Sequence, residues 1–125
     1  MSKKKSKILI IEDDTSINEA YNMILTKSGY EVQSAYDGNE GLEKIASFEP
    51  KVVLLDLRMP HLDGVGVLSK LTEKQKKAMH IVVLSNYDMQ KEIDQAYKLG
   101  AERYILKAWA SPLDLVQLVE NTLKN

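Results

Sequence analysis

The sequence predicts an α/β fold, a doubly wound five-stranded parallel sheet with helices on both faces. Short apolar runs alternate with longer stretches whose apolar residues recur at helical spacing. The runs at 52–55 (Val-Val-Leu-Leu) and 81–84 (Ile-Val-Val-Leu) are apolar at every residue, as strands covered on both faces must be. No linker or low-complexity segment interrupts the 125 residues, so 1–125 is read as one domain, long enough to bury a core.

The first strand is 8–11, Ile-Leu-Ile-Ile. Ile17, Tyr21, Ile24 and Leu25 then give a helical period, and Gly29 after Ser28 stops that helix. Polarity alternates at 32–35, which suits a strand at the sheet edge. Leu42, Ile45 and Ala46 mark a second helix, ending before Pro50, and 52–55 is the third strand. Val65, Leu68 and Leu71 predict a third helix and 81–84 the fourth strand. Ile93, Ala96 and Tyr97 predict a fourth helix closed by Gly100, and 104–106 the last strand. Ser111-Pro112 opens the fifth helix, with Ser as N-cap, Pro at the first helical position and Asp114 in the first turn. Val116, Val119 and Leu123 supply its buried stripe. One helix follows each strand, five units in strict alternation.

Composition narrows the function classes. An apolar content of 44% and a charged content of 28% are those of a globular protein. There is no Cys, so disulfides, thiol catalysis and zinc-thiolate sites are excluded. The longest apolar runs are far short of the ~20 residues that span a bilayer, and the basic start lacks the apolar stretch of a signal peptide. A cytoplasmic protein without membrane contact is expected. The net charge of −1 gives no basic footprint for direct nucleic-acid binding, and residues 1–6 read as a solvated basic tail ahead of a core at about 7–123.

The residues that end the strands carry the chemistry. Glu12-Asp13 follows the first strand, Asp56 the third, Ser85 the fourth and Lys107 the fifth. In parallel α/β sheets ligands gather outside the carboxyl ends of the strands. If the first and third strands are neighbours, three carboxylates converge and repel one another, and a bound cation removes that cost. An all-oxygen set suits Mg²⁺, or Mn²⁺. Helix capping accounts for Asp13 or Asp14, but not for an acid directly after four apolar residues. Lys107 at the same edge is a partner for Asp56 and for a phosphoryl oxygen, and the Ser85 hydroxyl either caps the next helix or donates to such a group. A flavin-phosphate loop is disfavoured because Glu12-Asp13-Asp14 would repel a phosphate. An Asp-x-Asp phosphatase lacks its second acid at Asp56-Leu57-Arg58, and no Gly-x-x-x-x-Gly-Lys loop is present.

Three motifs then carry a resemblance: Ile-Ile-Glu-Asp-Asp at 10–14, Leu-Asp-Leu-Arg-Met-Pro-His-Leu-Asp-Gly at 55–64 and Gly-Ala-Glu-Arg-Tyr-Ile-Leu-Lys at 100–107. From about residue 7 to 123 the chain resembles the receiver domain of two-component response regulators, the CheY-like family. The resemblance implies a flavodoxin-like (βα)5 sheet with strand order 2-1-3-4-5. It implies that Asp56 accepts a phosphoryl group from a histidine kinase or phosphotransfer protein. Asp13 would hold Mg²⁺ directly, Glu12 through water, and the Arg58 backbone carbonyl would add a third protein contribution. Ser85 and Tyr104 would be the switch: Ser85 bonds the phosphoryl group, Tyr104 turns inward, and Lys107 pairs with another phosphoryl oxygen. A downstream protein would read the fourth helix, fifth strand and fifth helix. Such a chain is a phosphoacceptor that promotes its own phosphorylation and slow dephosphorylation, not a conventional enzyme.

The chain departs from the family after Lys107, where Ala108 replaces the usual cis proline. A cis bond before Ala costs about 2.5–4 kcal/mol, so a trans bond and a reshaped, longer loop are expected. Trp109 either folds back as a local anchor, the favoured reading because an exposed Trp is costly in water, or stays exposed as a contact for a partner. Asn86 is larger than the family prefers, and with Arg58 and Tyr87 flanking the same opening it predicts slow self-dephosphorylation. A degenerate receiver that binds proteins without phosphorylation is the rival reading. His61 and His80 are given no catalytic role, His61 as a solvated loop residue and His80 as lying before a strand at the far edge. With the fifth helix ending near Asn125, the chain reads as a single-domain regulator or a fragment of a longer protein.

Overall fold

The computed structural model describes residues 6–124. Residues 1–5, most of the basic tail, lie outside them. The elements are β1 (Lys7–Ile11), α1 (Thr15–Lys27), β2 (Glu31–Ala35), α2 (Gly38–Phe48), β3 (Val52–Asp56), α3 (Gly64–Lys70), α4 (Glu73–Ala78), β4 (His80–Ser85), α5 (Gln90–Lys98), β5 (Arg103–Leu106), a 3₁₀ turn (Lys107–Trp109) and α6 (Pro112–Lys124). All strand pairs are parallel and the order is β2-β1-β3-β4-β5, as the resemblance implies.

Side chains that alternate along each strand build two cores. Leu9, Ile11, Val53, Leu55, Ile81 and Val83 face α2, α3 and α5, meeting Ile45, Phe48, Val67, Leu68 and Ala96. Ile8, Ile10, Val52, Leu54, Val82 and Leu84 face α1 and α6, meeting Tyr21, Leu25, Leu115 and Val119. Each fully buried aliphatic side chain contributes roughly 1.5–3 kcal/mol, which fixes β1, β3 and β4 as the rigid centre.

Helix ends follow the sequence signals. Asp14 accepts from Ile17 N at 3.0 Å and caps α1, and Gly29 beyond its end takes φ +103°, a conformation that glycine adopts without penalty. Ser111 Oγ accepts from Asp114 N at 3.2 Å at the start of α6. The strict alternation does not hold, however: α3 and α4 both lie between β3 and β4, so the expected fourth and fifth helices are α5 and α6. α4 buries none of its residues. It therefore lacks the apolar period by which helices are read, and only its Thr72–Gln75 capping box announces it. His80 is the first residue of β4 rather than a residue before it, and pairs with Glu102 at 2.7 Å. Ala46 and Tyr97, counted in apolar stripes, are exposed.

Candidate functional site

Strand register assembles the acids. Ile11 stands opposite Leu55, so Glu12 comes beside Asp56, and Asp56 in turn stands opposite Leu84, next to Ser85. Glu12 is buried and held from three directions. Its N–H donates to the Ala35 carbonyl at 3.0 Å, its carbonyl accepts from Asn18 Nδ2 at 2.9 Å, and its Oε2 accepts from Asp14 N at 3.0 Å. Asn18 also donates to the Ala35 carbonyl at 3.0 Å, tying α1 to the ends of β1 and β2. With Asp14 spent on the cap, Asp13 stays exposed at the mouth. One carboxylate oxygen from each of Glu12, Asp13 and Asp56 lies within 4.8 Å of the others. This all-oxygen set, partly open to water, fits a hard divalent cation.

Asp56 is buried, and its carboxyl pKa is raised from 3.8 to about 7. Burial is the main cause, followed by the charge of Glu12, with Lys107 acting in the opposite sense. Lys107 Nζ lies 2.6 Å from Glu12 Oε1 and 3.3 Å from Asp56 Oδ1. Burial disfavours its charge, but the bonds to Glu12 and Asp56 outweigh burial and raise its pKa.

The altered loop behind Lys107 still delivers it. No cis peptide bond occurs among the described residues, and Lys107–Trp109 winds as a 3₁₀ turn closed by Ala110 N to the Lys107 carbonyl at 3.0 Å. Ala110, not Trp109, is the anchor. It is buried, and its carbonyl accepts from the Tyr21 hydroxyl of α1 at 3.0 Å. Trp109 is 73% exposed, so the favoured anchor reading fails and the exposed alternative holds.

Ser85 is buried at the end of β4, and its Oγ accepts from Tyr87 N at 3.1 Å. The Tyr104 hydroxyl donates to the Tyr87 carbonyl at 2.7 Å, and Tyr104 N donates to the Tyr97 hydroxyl at 3.1 Å. Both expected switch residues thus grip the same residue, Tyr87, from opposite sides. The guanidinium of Arg58 lies 3.9 Å from the Tyr87 ring centre and pairs with Glu92 of α5, while Arg58 N donates to Asp56 Oδ1 at 3.3 Å. Asp63 caps α3 by accepting from Gly66 N at 2.8 Å. A Cβ on the next residue, Gly64, would lie 2.6 Å from the Asp56 carbonyl oxygen, so this position admits only glycine without displacement.

Sequence reasoning did not find Asn18, Tyr21, Glu92 or the linking role of Tyr87. Nothing marks Glu92 among the acids of an exposed helix, and Asn18 and Tyr21 act on groups distant in the chain.

Comparison with known proteins agrees with this geometry. A family model described as the response regulator receiver domain matches residues 8–120. The chemotaxis protein CheY of Treponema pallidum is 35% identical over 117 residues, covering 91% of this chain and 78% of that protein. The probable transcriptional regulator ycf27 of Porphyridium aerugineum is 36% identical, and there the match spans 97% of this chain but only 49% of the relative. Among solved structures, a CheY-like receiver domain protein from Methanospirillum hungatei superimposes with a TM-score of 0.86 at 31% identity, covering 97% of this chain and 95% of that one. CheY4 of Vibrio cholerae gives 0.87 at 25% identity, covering 95% and 99%.

Proposed function

The chain belongs to the response regulator receiver domain family, and we propose that it is a phosphorylation-dependent switch whose acceptor is Asp56. One observation carries this reading. A buried Asp56 at a strand end shares a pocket with Glu12, Asp13 and an ammonium that touches two of the three acids. Stability alone does not call for such a cluster, since burying like charges together is unfavourable.

The phosphodonor is a phosphohistidine of a histidine kinase or phosphotransfer protein. An Asp56 carboxylate oxygen forms the new bond to phosphorus as the P–N bond breaks. The electron pair leaves on the imidazole nitrogen, which takes a proton from solvent. Asp13 and Asp56 would hold Mg²⁺ directly (Mn²⁺ would also fit), Glu12 through water and Arg58 by its backbone carbonyl. When bound, the ion supplies positive charge against the carboxylate nucleophile and the phosphoryl oxygens. Lys107 moves one of its ion pairs to a phosphoryl oxygen, and its position between Glu12 and Asp56 keeps it within reach. The Ser85 oxygen is an acceptor from Tyr87 N, which leaves its O–H free to donate to the phosphoryl group. Turning Ser85 inward pulls on Tyr87, and Tyr104 loses its acceptor on the other side of that residue. The face of α5, β5 and α6 then changes for a downstream protein.

The chain is thus a phosphoacceptor that promotes its own modification, rather than a conventional enzyme. Asn86, Tyr87 and Arg58 line the mouth over Asp56 and support slow hydrolysis of the aspartyl phosphate. Acetyl phosphate with Mg²⁺ tests the reading by intact mass. The expected result is a gain of one phosphoryl group, absent in Asp56→Asn and lost when the metal is chelated. No gain from acetyl phosphate or a phosphohistidine donor would leave a phosphorylation-independent binding module.

A further inference from the structure

The Arg58 side chain stands between two sites. On one side it lines the pocket of Glu12, Asp13, Asp56 and Lys107, and on the other a cleft of about 550 Å³ bordered by Met59, Pro60, Glu92 and Gln95. Its guanidinium is committed to Glu92 Oε2, in the first turn of α5. The second oxygen of Glu92 is buried without any donor. The N-terminus of α5 has little else to hold it. Met89 supplies no side-chain cap and is exposed, and Ala96 is the only residue of α5 that is fully buried. Among the described residues, the pair with Arg58 is the one ion pair joining α5 to the rest of the fold.

We propose that Arg58 is a positioning residue that changes partner on phosphorylation, leaving Glu92 for the phosphoryl group on Asp56 and so releasing the first turn of α5. The inference rests on the phosphoacceptor reading above and adds a route to α5 that does not pass through Ser85 and Tyr104.

Four physical points carry it. The aspartyl phosphate brings about −1.5 to −2 charges and three strong acceptors into a pocket that Arg58 already lines. A guanidinium presents a planar fork that bonds phosphate at two points, which a single Glu92 oxygen cannot match. The existing pair is weak, because the Arg58 side chain is 50% exposed and solvent competes for it. The Tyr87 ring beneath the guanidinium gives it a surface on which to turn without losing its stacking contact. Once Arg58 leaves, Glu92 has no donor on either oxygen in a largely covered position. Its charge must move towards water, and the first turn of α5 moves with it.

Hydrogen–deuterium exchange of residues 90–98, with and without acetyl phosphate and Mg²⁺, tests this, with intact mass recorded in parallel. In the wild-type protein, phosphorylation is expected to speed exchange in α5 by about two- to fivefold, the scale on which an exposed ion pair shifts an equilibrium. Glu92→Gln is expected to exchange at the faster rate before phosphorylation and to gain almost nothing from it, while still acquiring the phosphoryl mass. Arg58→Ala loses the phosphorylation-dependent increment, and Arg58→Lys, a cation without the fork, keeps part of it. A purely structural role for the pair would loosen α5 in each variant but leave that increment intact. Phosphoryl uptake with unchanged α5 exchange in the wild type, or a full increment in Glu92→Gln, overturns the proposal and leaves the phosphoacceptor reading standing. Absence of phosphoryl mass in the wild type overturns both.

Discussion

In β3 all five residues are buried, whereas none of the four residues of β5 is. Two helices, α1 against β1 and β2 and α5 against β5, differ in the same sense. α1 starts from an aspartate cap, buries Asn18, Tyr21 and Leu25, and uses Asn18 and Tyr21 to hold the ends of β1 and β2 and the carbonyl of Ala110. α5 has no side-chain cap and buries one alanine. The acids that would perform chemistry stand on the first kind of support, and the residues that would report it stand on the second. Reacting groups need fixed geometry, while an element that must change state has to come from the low-stability end of a fold. On the proposed reading, a small electrostatic event at Asp56 would move α5 and Tyr104 because those elements are lightly held.

The broadest way to break this comparison is to cut into both sides. Leu54→Ala removes a fully buried side chain from β3 and should cost about 2–5 kcal/mol in urea unfolding. Ile105→Ala, at a half-buried position in β5, should cost about 1–2 kcal/mol because part of that surface is already in water. Equal losses would mean the two sides are not built differently.

The next effect comes from the site itself and has a definite sign. The Asp56 carboxyl keeps its proton in the folded chain up to about pH 7, whereas its ordinary pKa is 3.8. The folded state therefore binds more protons than the unfolded chain in that window. The contribution of Asp56 to stability is fully present below pH 4, falls as pH rises, and is lost above pH 7. Asn cannot ionise, so without metal Asp56→Asn should be more stable than wild type by about 1–3 kcal/mol at pH 8, with the gap closing near pH 4. If the folded carboxylates hold Mg²⁺ as proposed, the ion should stabilise the wild type and narrow the gap at pH 8. A gap independent of pH between 4 and 8 would contradict the cause assigned to it.

These contrasts also explain what could be read from the sequence. The rigid side was legible because burial on both faces writes itself as unbroken apolar runs, and a polar residue at the end of such a run is conspicuous. Glu12, Asp13 and Asp56 were found in that way, and the register brings them together. The lightly held side left weaker traces. α4 has no buried face and so no period, and its capping box alone would have revealed it. Hydrophobicity favours Trp109 as the anchor of its loop, but the hydrogen bond from the Tyr21 hydroxyl goes to the Ala110 carbonyl, and it is Ala110 that is buried. Glu92 and Tyr87 act through pairings that exist only once the fold has formed.

The smallest effect sharpens the comparison furthest. Tyr104→Phe removes only the hydroxyl that donates to the Tyr87 carbonyl, and Ser85→Ala removes only the oxygen that accepts from Tyr87 N. Neither substitution opens a large cavity, so each should cost about 0.5–1.5 kcal/mol, with Tyr104→Phe at the low end because that bond is open to solvent. The two groups are not in contact, yet they hold opposite ends of one residue. If the β4–α5 loop is a single unit, freeing Tyr87 on one side weakens the bond on the other, and the double variant should lose less than the two single losses added together. A coupling of about 0.5 kcal/mol in that cycle is the expected sign of a shared partner. Strict additivity would mean that Ser85 and Tyr104 hold the loop independently, and that a pull on Ser85 does not reach Tyr104 through Tyr87.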